Sequence, residues 1–193
     1  MNIKIDKISA LIVVDVQKDF CQGGALPVPR GDEVVPVLNR YIQKFEEAGA
    51  QIYATRDWHP SNHVSFKSQS GPWPSHCVQN TEGAEFHRDL LLPIGTVIVS
   101  KANSLKETYS AFDETNLEEN LKRKNIRRVF VGGLATDYCV LNTVLDALKL
   151  GFETFLLEDA IKGVNVRPND SERALKEMKS KGVHIVRNID AII

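Results

Sequence analysis

Apolar residues fall along the chain in two alternating patterns, short continuous runs and helical stripes. Ser9 to Val16 is a β-branched apolar run too brief for a helix, and it predicts a strand buried on both faces. Val34, Val37, Leu38, Tyr41, Ile42 and Phe45 then recur at helical spacing, with Gly49 behind them as a C-terminal cap, which predicts an amphipathic helix. Gln51 to Thr55 reads as a second strand, Thr96 to Ser100 as a third and Arg128 to Val131 as a fourth. A polar helix is expected over Leu117 to Lys124. After the fourth strand, Val140, Leu141, Val144, Leu145 and Leu148 keep one helix face apolar, with Thr136 as N-cap and Gly151 as stop. Phe152 to Leu157 predicts strand five, Asp170 to Lys181 a helix ending at Gly182, and Val183 to Val186 strand six.

Strands alternating with helices imply a mainly parallel six-stranded sheet with helices on both faces, a three-layer α/β/α doubly wound domain with right-handed crossovers. In the commonest order, 3-2-1-4-5-6, strands one and four meet at the switch point, and ligands bind beyond the strand C-termini there. Between strands two and three, Arg56 to Gly95 is a long stretch rich in Pro, Ser, Gly, Asn and His, and a segment of that kind in a compact domain usually carries function.

Composition narrows the picture. A chain of 193 residues without repeats or linkers fits one domain over 1–193 and buries a core without staples. Its 24 Lys plus Arg against 25 Asp plus Glu leave a net charge of −1, so no nucleic-acid partner is expected. No apolar run approaches a membrane span, and the start MNIKIDKI lacks the apolar stretch of a signal peptide. Cys21, Cys77 and Cys139 fit neither a disulfide framework nor a CxxC pattern, which suits a reducing cytoplasm.

At the strand ends, Asp15 closes strand one, Lys101 closes strand three, and Cys139 lies one turn into the helix after strand four. A thiol there sees free backbone N–H groups and a nearby Lys, both of which favour the thiolate. Asp15 is placed to take and return a proton, so the three outline an acyl-transfer site. Each residue also has a plainer reading, as buried thiol, turn Asp and solvated Lys. In the long loop, Asp57 and His59 point to one side of an extended segment and His76 closes a carboxylate-plus-two-His set suited to Zn²⁺, Fe²⁺ or Mn²⁺. His63 stands beside them as a further or outer ligand, though from i+4 it would need a helical turn. The alternative is a polar loop whose histidines bond backbone groups. His87 and His184 read as structural.

With these stretches in view, the sequence resembles the nicotinamidases of the isochorismatase-like cysteine hydrolase family. The resemblance runs through VVDVQKDFCQGGALPV at 13–28, DWHPSNHVSF at 57–66, GPWPSHCVQNTEGAEFH at 71–87, KANSLKETYSAF at 101–112 and GLATDYCV at 133–140. It implies the isochorismatase-like fold, a catalytic triad of Asp15, Lys101 and Cys139, and one divalent metal, zinc first, on Asp57, His59 and His76. It implies that the metal holds the ring nitrogen of nicotinamide, that Phe20, Leu26, Trp73, Tyr109 and Ala135 wall the ring, and that the N–H groups of Ala135 and Cys139 form an oxyanion hole beside a cis Leu134–Ala135 peptide. The implied reaction is hydrolysis of nicotinamide to nicotinate and ammonia through a cysteine thioester, in NAD salvage, by a cytoplasmic homo-oligomer, with pyrazinamide as a further substrate. Asn80, where the family commonly has Gly, and the variable position Tyr138 bear on specificity. Two other readings compete: a metal-free cysteine amidase for another small amide, and a non-catalytic α/β binding module. The second rests only on GGLATD at 132–137, which matches neither glycine-rich phosphate motif.

Overall fold

A computed structural model describes residues 3–192; residues 1, 2 and 193 of the expected domain span lie outside it. In chain order the elements are β1 (Ser9–Val14), α1 (Val34–Glu47), β2 (Gln51–Asp57), β3 (Val97–Lys101), α2 (Leu117–Arg123), β4 (Arg128–Leu134), α3 (Leu141–Lys149), β5 (Glu153–Lys162), α4 (Asp170–Ser180) and β6 (His184–Val186). The strands form one sheet in the order β3-β2-β1-β4-β5-β6, parallel at every pairing. This is the expected doubly wound order.

β1 is buried along its whole length, and its alternate residues serve opposite faces. Leu11 and Val13 pack with Leu38, Tyr41, Ile42 and Phe45 of α1. Ala10, Ile12 and Val14 pack with Leu117 and Leu121 of α2, Val144 and Ala147 of α3, and Met178 of α4. Each fully buried aliphatic side chain contributes about 1.5–3 kcal/mol, so the central strand anchors both layers. In α1 the buried stripe takes Val35 rather than Val37. Gly49, at φ +64°, closes this helix with its N–H on the Glu46 carbonyl.

Three elements run longer than the apolar pattern indicates, β2 by two residues to Asp57. β4 continues through Gly132 and Gly133 to Leu134, because a glycine pair here is a close-approach device rather than a breaker. Gly133 sits at φ +125°, and a Cβ on it would lie 2.1 Å from the Val14 carbonyl oxygen. β5 extends to Lys162 and pairs with this extra length, Gly133 against Ile161 and Leu134 against Lys162, across a register shift.

The segment expected to begin the next helix winds differently. Thr136–Val140 is a π-turn that leads into α3, and no side chain caps it, so Thr136 is not an N-cap. The Ala135 carbonyl accepts from the N–H groups of Tyr138 and Val140, passing over that of Cys139. The Leu134–Ala135 peptide is cis. Between β2 and β3 the long loop is tied down by bridges pairing His59 with Val78, Phe66 with Trp73, and Phe86 with Gln17. Among the described residues no helix is long and apolar enough to cross a membrane.

Candidate active site

β3 lies beyond β2 from β1, so the Lys101 side chain must cross the end of β2 to reach Asp15. Register puts Lys101 opposite Asp57 at that end. Its ammonium sits 2.9 Å from Asp15 Oδ2, contacts Asp57 Oδ1 and donates to Cys139 Sγ at 3.3 Å. Asp15 and Lys101 are wholly shielded from solvent and Cys139 is 5% exposed. The chain leaves β1 through Asp15 at φ +48°, and Thr55 of β2 fixes the carboxylate by donating to Oδ1 at 2.6 Å. Asp15 Oδ2 touches the ammonium off the line of a hydrogen bond and stays a free acceptor. Oxygens of Asp15 and Asp57 and the Cys139 sulfur all lie within 4.8 Å of one another.

Burial pushes the Asp15 carboxyl up; Lys101 pulls against this, while the charge of Asp57 adds to it. Burial also pushes Asp57 up, but Lys101 and His59 outweigh it and hold that carboxyl below its usual range. For Lys101 the desolvation that lowers an ammonium is outweighed by Asp15 and Asp57, so it stays charged. The Cys139 thiol is raised well above its ordinary value, by burial first and by the two carboxylates, with Lys101 opposing. This reverses the expectation of a resting thiolate. Sequence position shows a helix start and a lysine, but not two carboxylates in a dry site.

Beside the triad stand the three metal-capable side chains. Asp57, His59 and His76 are all buried, with one donor atom of each within 4.8 Å of the others. His59 Nδ1 faces the Ala102 carbonyl at 3.2 Å, and His76 Nδ1 faces the Pro74 carbonyl at 2.8 Å. A carbonyl only accepts, so each Nδ1 carries a proton and Nε2 is the nitrogen left to offer a lone pair to a cation. His59 Nε2 is buried, has no hydrogen-bond partner and lies 3.5 Å from Asp57 Oδ2. Burial lowers His76 and keeps it neutral, the ligating form. An orphaned imidazole nitrogen beside an ionised carboxylate fits a divalent cation.

His63 is outside this trio. Its ring lies 4.1 Å from that of His59, Nδ1 bonds Ser65 Oγ at 2.8 Å, and Nε2 faces the Lys106 carbonyl at 3.2 Å, so both nitrogens are engaged. Phe20, Leu26, Trp73, Tyr109 and Ala135 line one cavity together with Asp57, His59, His76 and Cys139. Trp73, Tyr109 and Tyr138 touch one another across it, with the Trp73 indole N–H 3.4 Å from the Tyr109 hydroxyl.

The geometry adds residues that the sequence reading did not assign. Glu107 and Val164 also line the cavity, and burial pushes the Glu107 carboxyl up. Gln17 is a buried clamp: its Nε2 donates to the carbonyls of Asp57 and Ala84 at 2.8 and 3.0 Å, and its Oε1 accepts the Asp57 N–H at 2.8 Å. Asp137 reaches from the π-turn to accept the N–H groups of Val164 and Asn165 at 2.9 and 2.7 Å, tying the segment that carries Cys139 to the cavity wall. Only Glu107, two residues before Tyr109 and hence on the same side of an extended segment, left a usable signal. Asp137→Ala orphans two N–H groups, and an expected loss of about 1–3 kcal/mol is checked by the urea midpoint of unfolding.

Comparison with known proteins gives one consistent answer. The isochorismatase domain matches residues 9–190. The nicotinamidase of Escherichia coli (strain K12) is 44% identical, over 90% of this chain and 92% of its own length. The zinc complex of Pyrococcus horikoshii pyrazinamidase is 58% identical with a TM-score of 0.89, covering 92% of this chain and 98% of its own. The PnC1 protein of L. infantum in complex with nicotinate is 34% identical with a TM-score of 0.92, covering 100% and 99%. Fold and sequence agree, and the chain belongs to the isochorismatase family of hydrolases.

Proposed function

We propose that the protein is a nicotinamidase that converts nicotinamide to nicotinate and ammonia in NAD salvage. The observation that carries this reading is a single aromatic-walled cavity whose lining holds both a thiol and a carboxylate-plus-two-His set. A flat ring with an amide at one end and a basic nitrogen at the other matches that polarity. The relatives named nicotinamidase and the nicotinate complex support it, and the relative named pyrazinamidase supports pyrazinamide as a second substrate.

Asp57, His59 and His76 would hold the cation, with zinc the first choice because a similar chain carries it. When bound, it supplies an electrophilic anchor for a ring nitrogen. The chain's own residues do the rest. Asp15, raised by burial, takes the Cys139 proton through its free Oδ2, and Lys101 stabilises the sulfur as it becomes anionic. Sulfur attacks the amide carbon, and the N–H groups of Ala135 and Cys139 receive the negative oxygen. The proton held by Asp15 passes to the departing nitrogen, leaving a thioester on Cys139 and free ammonia. Asp15 then deprotonates a water that attacks the thioester, and the proton returns to sulfur.

Purified zinc-loaded protein is expected to release ammonia from nicotinamide and to lose about 10²-fold in kcat/KM on benzamide, which lacks the ring nitrogen. His59→Ala is expected to lose one equivalent of zinc and most of its nicotinamide binding. Equal rates on both amides, or unchanged metal content in His59→Ala, would overturn the anchoring role.

A further inference from the structure

A second group of ligating side chains lies behind Phe20, outside the reaction cavity. Cys21 follows the 3-10 turn Lys18–Phe20, Asp32 sits in the turn before α1, and His87 lies in the second half of the long loop. One donor atom of each lies within 4.8 Å of the other two. Two neighbouring turns and a distant stretch of the long loop therefore bring a thiol, a carboxylate and an imidazole close together. We propose that Cys21, Asp32 and His87 form a second divalent-cation site, for a borderline-soft ion such as Zn²⁺, with its remaining position open to water.

One edge of the cluster suits tetrahedral coordination. Asp32 Oδ1 is 3.4 Å from His87 Nε2, close to the edge of a tetrahedron whose bonds are about 2.0–2.1 Å. The other oxygen, Asp32 Oδ2, accepts the Gln22 N–H at 2.8 Å, which fixes the carboxylate's direction. Cys21 is 2% exposed and His87 and Asp32 are half-buried, so the thiol enters from the protein side and the open position faces solvent. Cys21 and His87 also line a surface bowl of about 460 Å³, roomy enough for the water that completes the shell.

Loading exchanges protons in a defined way. His87 Nδ1 now accepts the Asp89 N–H at 3.2 Å, so the neutral ring carries its proton on Nε2, toward Asp32. Once the cation takes Nε2, that proton belongs on Nδ1, where the exposed Asp89 carboxylate, 4.0 Å away, is placed to swing in and accept it. Burial and Asp32 push the Cys21 thiol up to about 12, so the thiol proton is released on binding and affinity rises with pH. The occupied site would staple the turn bearing Phe20, a wall of the reaction cavity, to the His87 stretch of the long loop.

Cadmium is the probe, because a thiolate bound to it gives an ultraviolet charge-transfer band that carboxylate and imidazole ligands do not. Titration of the wild-type protein is expected to give the band at one equivalent, with two equivalents of metal retained in all. Cys21→Ser should lose the band and one equivalent, Asp32→Asn should weaken both, and Cys139→Ala should keep both. The partly exposed Asp32 makes its variant a usable reporter even where Cys21→Ser folds poorly. A band lost in Cys139→Ala but kept in Cys21→Ser, or a single equivalent that Cys21→Ser leaves intact, would overturn the second site. Loss of metal in His59→Ala bears only on the reaction cavity, so the two sites fail or stand separately.

Discussion

Cys139→Ala is expected to release ammonia from nicotinamide at least about 10⁴-fold more slowly than the wild type, while still binding zinc and the amide. In the proposed route the sulfur is the atom that forms the thioester, and without it Asp15 and Lys101 have no nucleophile to serve. Its fold should persist, since alanine replaces a thiol donated to by Lys101 with a smaller neutral group and leaves the ammonium its two carboxylates. The matched measurement is ammonia release under saturating nicotinamide, with isothermal titration for binding. Full activity in this variant would remove the thioester route and leave the cavity in need of another nucleophile.

The second large effect concerns stability. Lys101→Met is expected to cost about 3–5 kcal/mol at neutral pH, because it leaves Asp15 and Asp57 facing each other in a site closed to water. The sign with pH follows from the two states. In the wild type Asp57 is depressed, so its contribution is present above the ordinary value of 3.8 and is lost as pH falls through the lower folded value. In the variant the pair loses its cation, both carboxyls rise, and a proton bound by the folded state favours folding in acid. The gap between wild type and variant should therefore narrow from about pH 7 to about pH 5 in urea unfolding. The raised ammonium adds an alkaline signature, since its contribution holds below 10.5 and is lost only above that, as pH rises through the folded value. A variant with the wild-type midpoint at neutral pH would show that Lys101 carries no such charge balance.

Much of the architecture was legible because burial imposes periodicity. The run at Ser9–Val14 has both faces covered, and the α1 stripe has one, so each leaves its own signature in the order of residues. Asp15 and Lys101 stood out because charged side chains end apolar strands, and Cys139 because a thiol opens the helix that follows another strand at the same edge of the sheet. Other features left no such trace. Gly132 and Gly133 look like a strand terminator until the approach of Val14 is seen. Gln17 and Thr55 act on partners about 40 residues distant, and no local pattern records such a bond. The raised thiol of Cys139 depends on the summed field of two carboxylates and the exclusion of water, which only three-dimensional placement sets.

The Gln17 carboxamide has a mechanical consequence. One amide accepts the N–H of Asp57 and donates to its carbonyl, so it plays to the tip of β2 the part an additional strand would play. The same group grips Ala84. A glutamate there would set oxygen against two carbonyls, and an asparagine would fall one methylene short. Because Gln17 is two residues from Asp15, its hydrogen bonds couple the end of β1 to the Asp57 backbone. The same amide ties both to Ala84, so the end of β1, the tip of β2 and the long loop are held by one group.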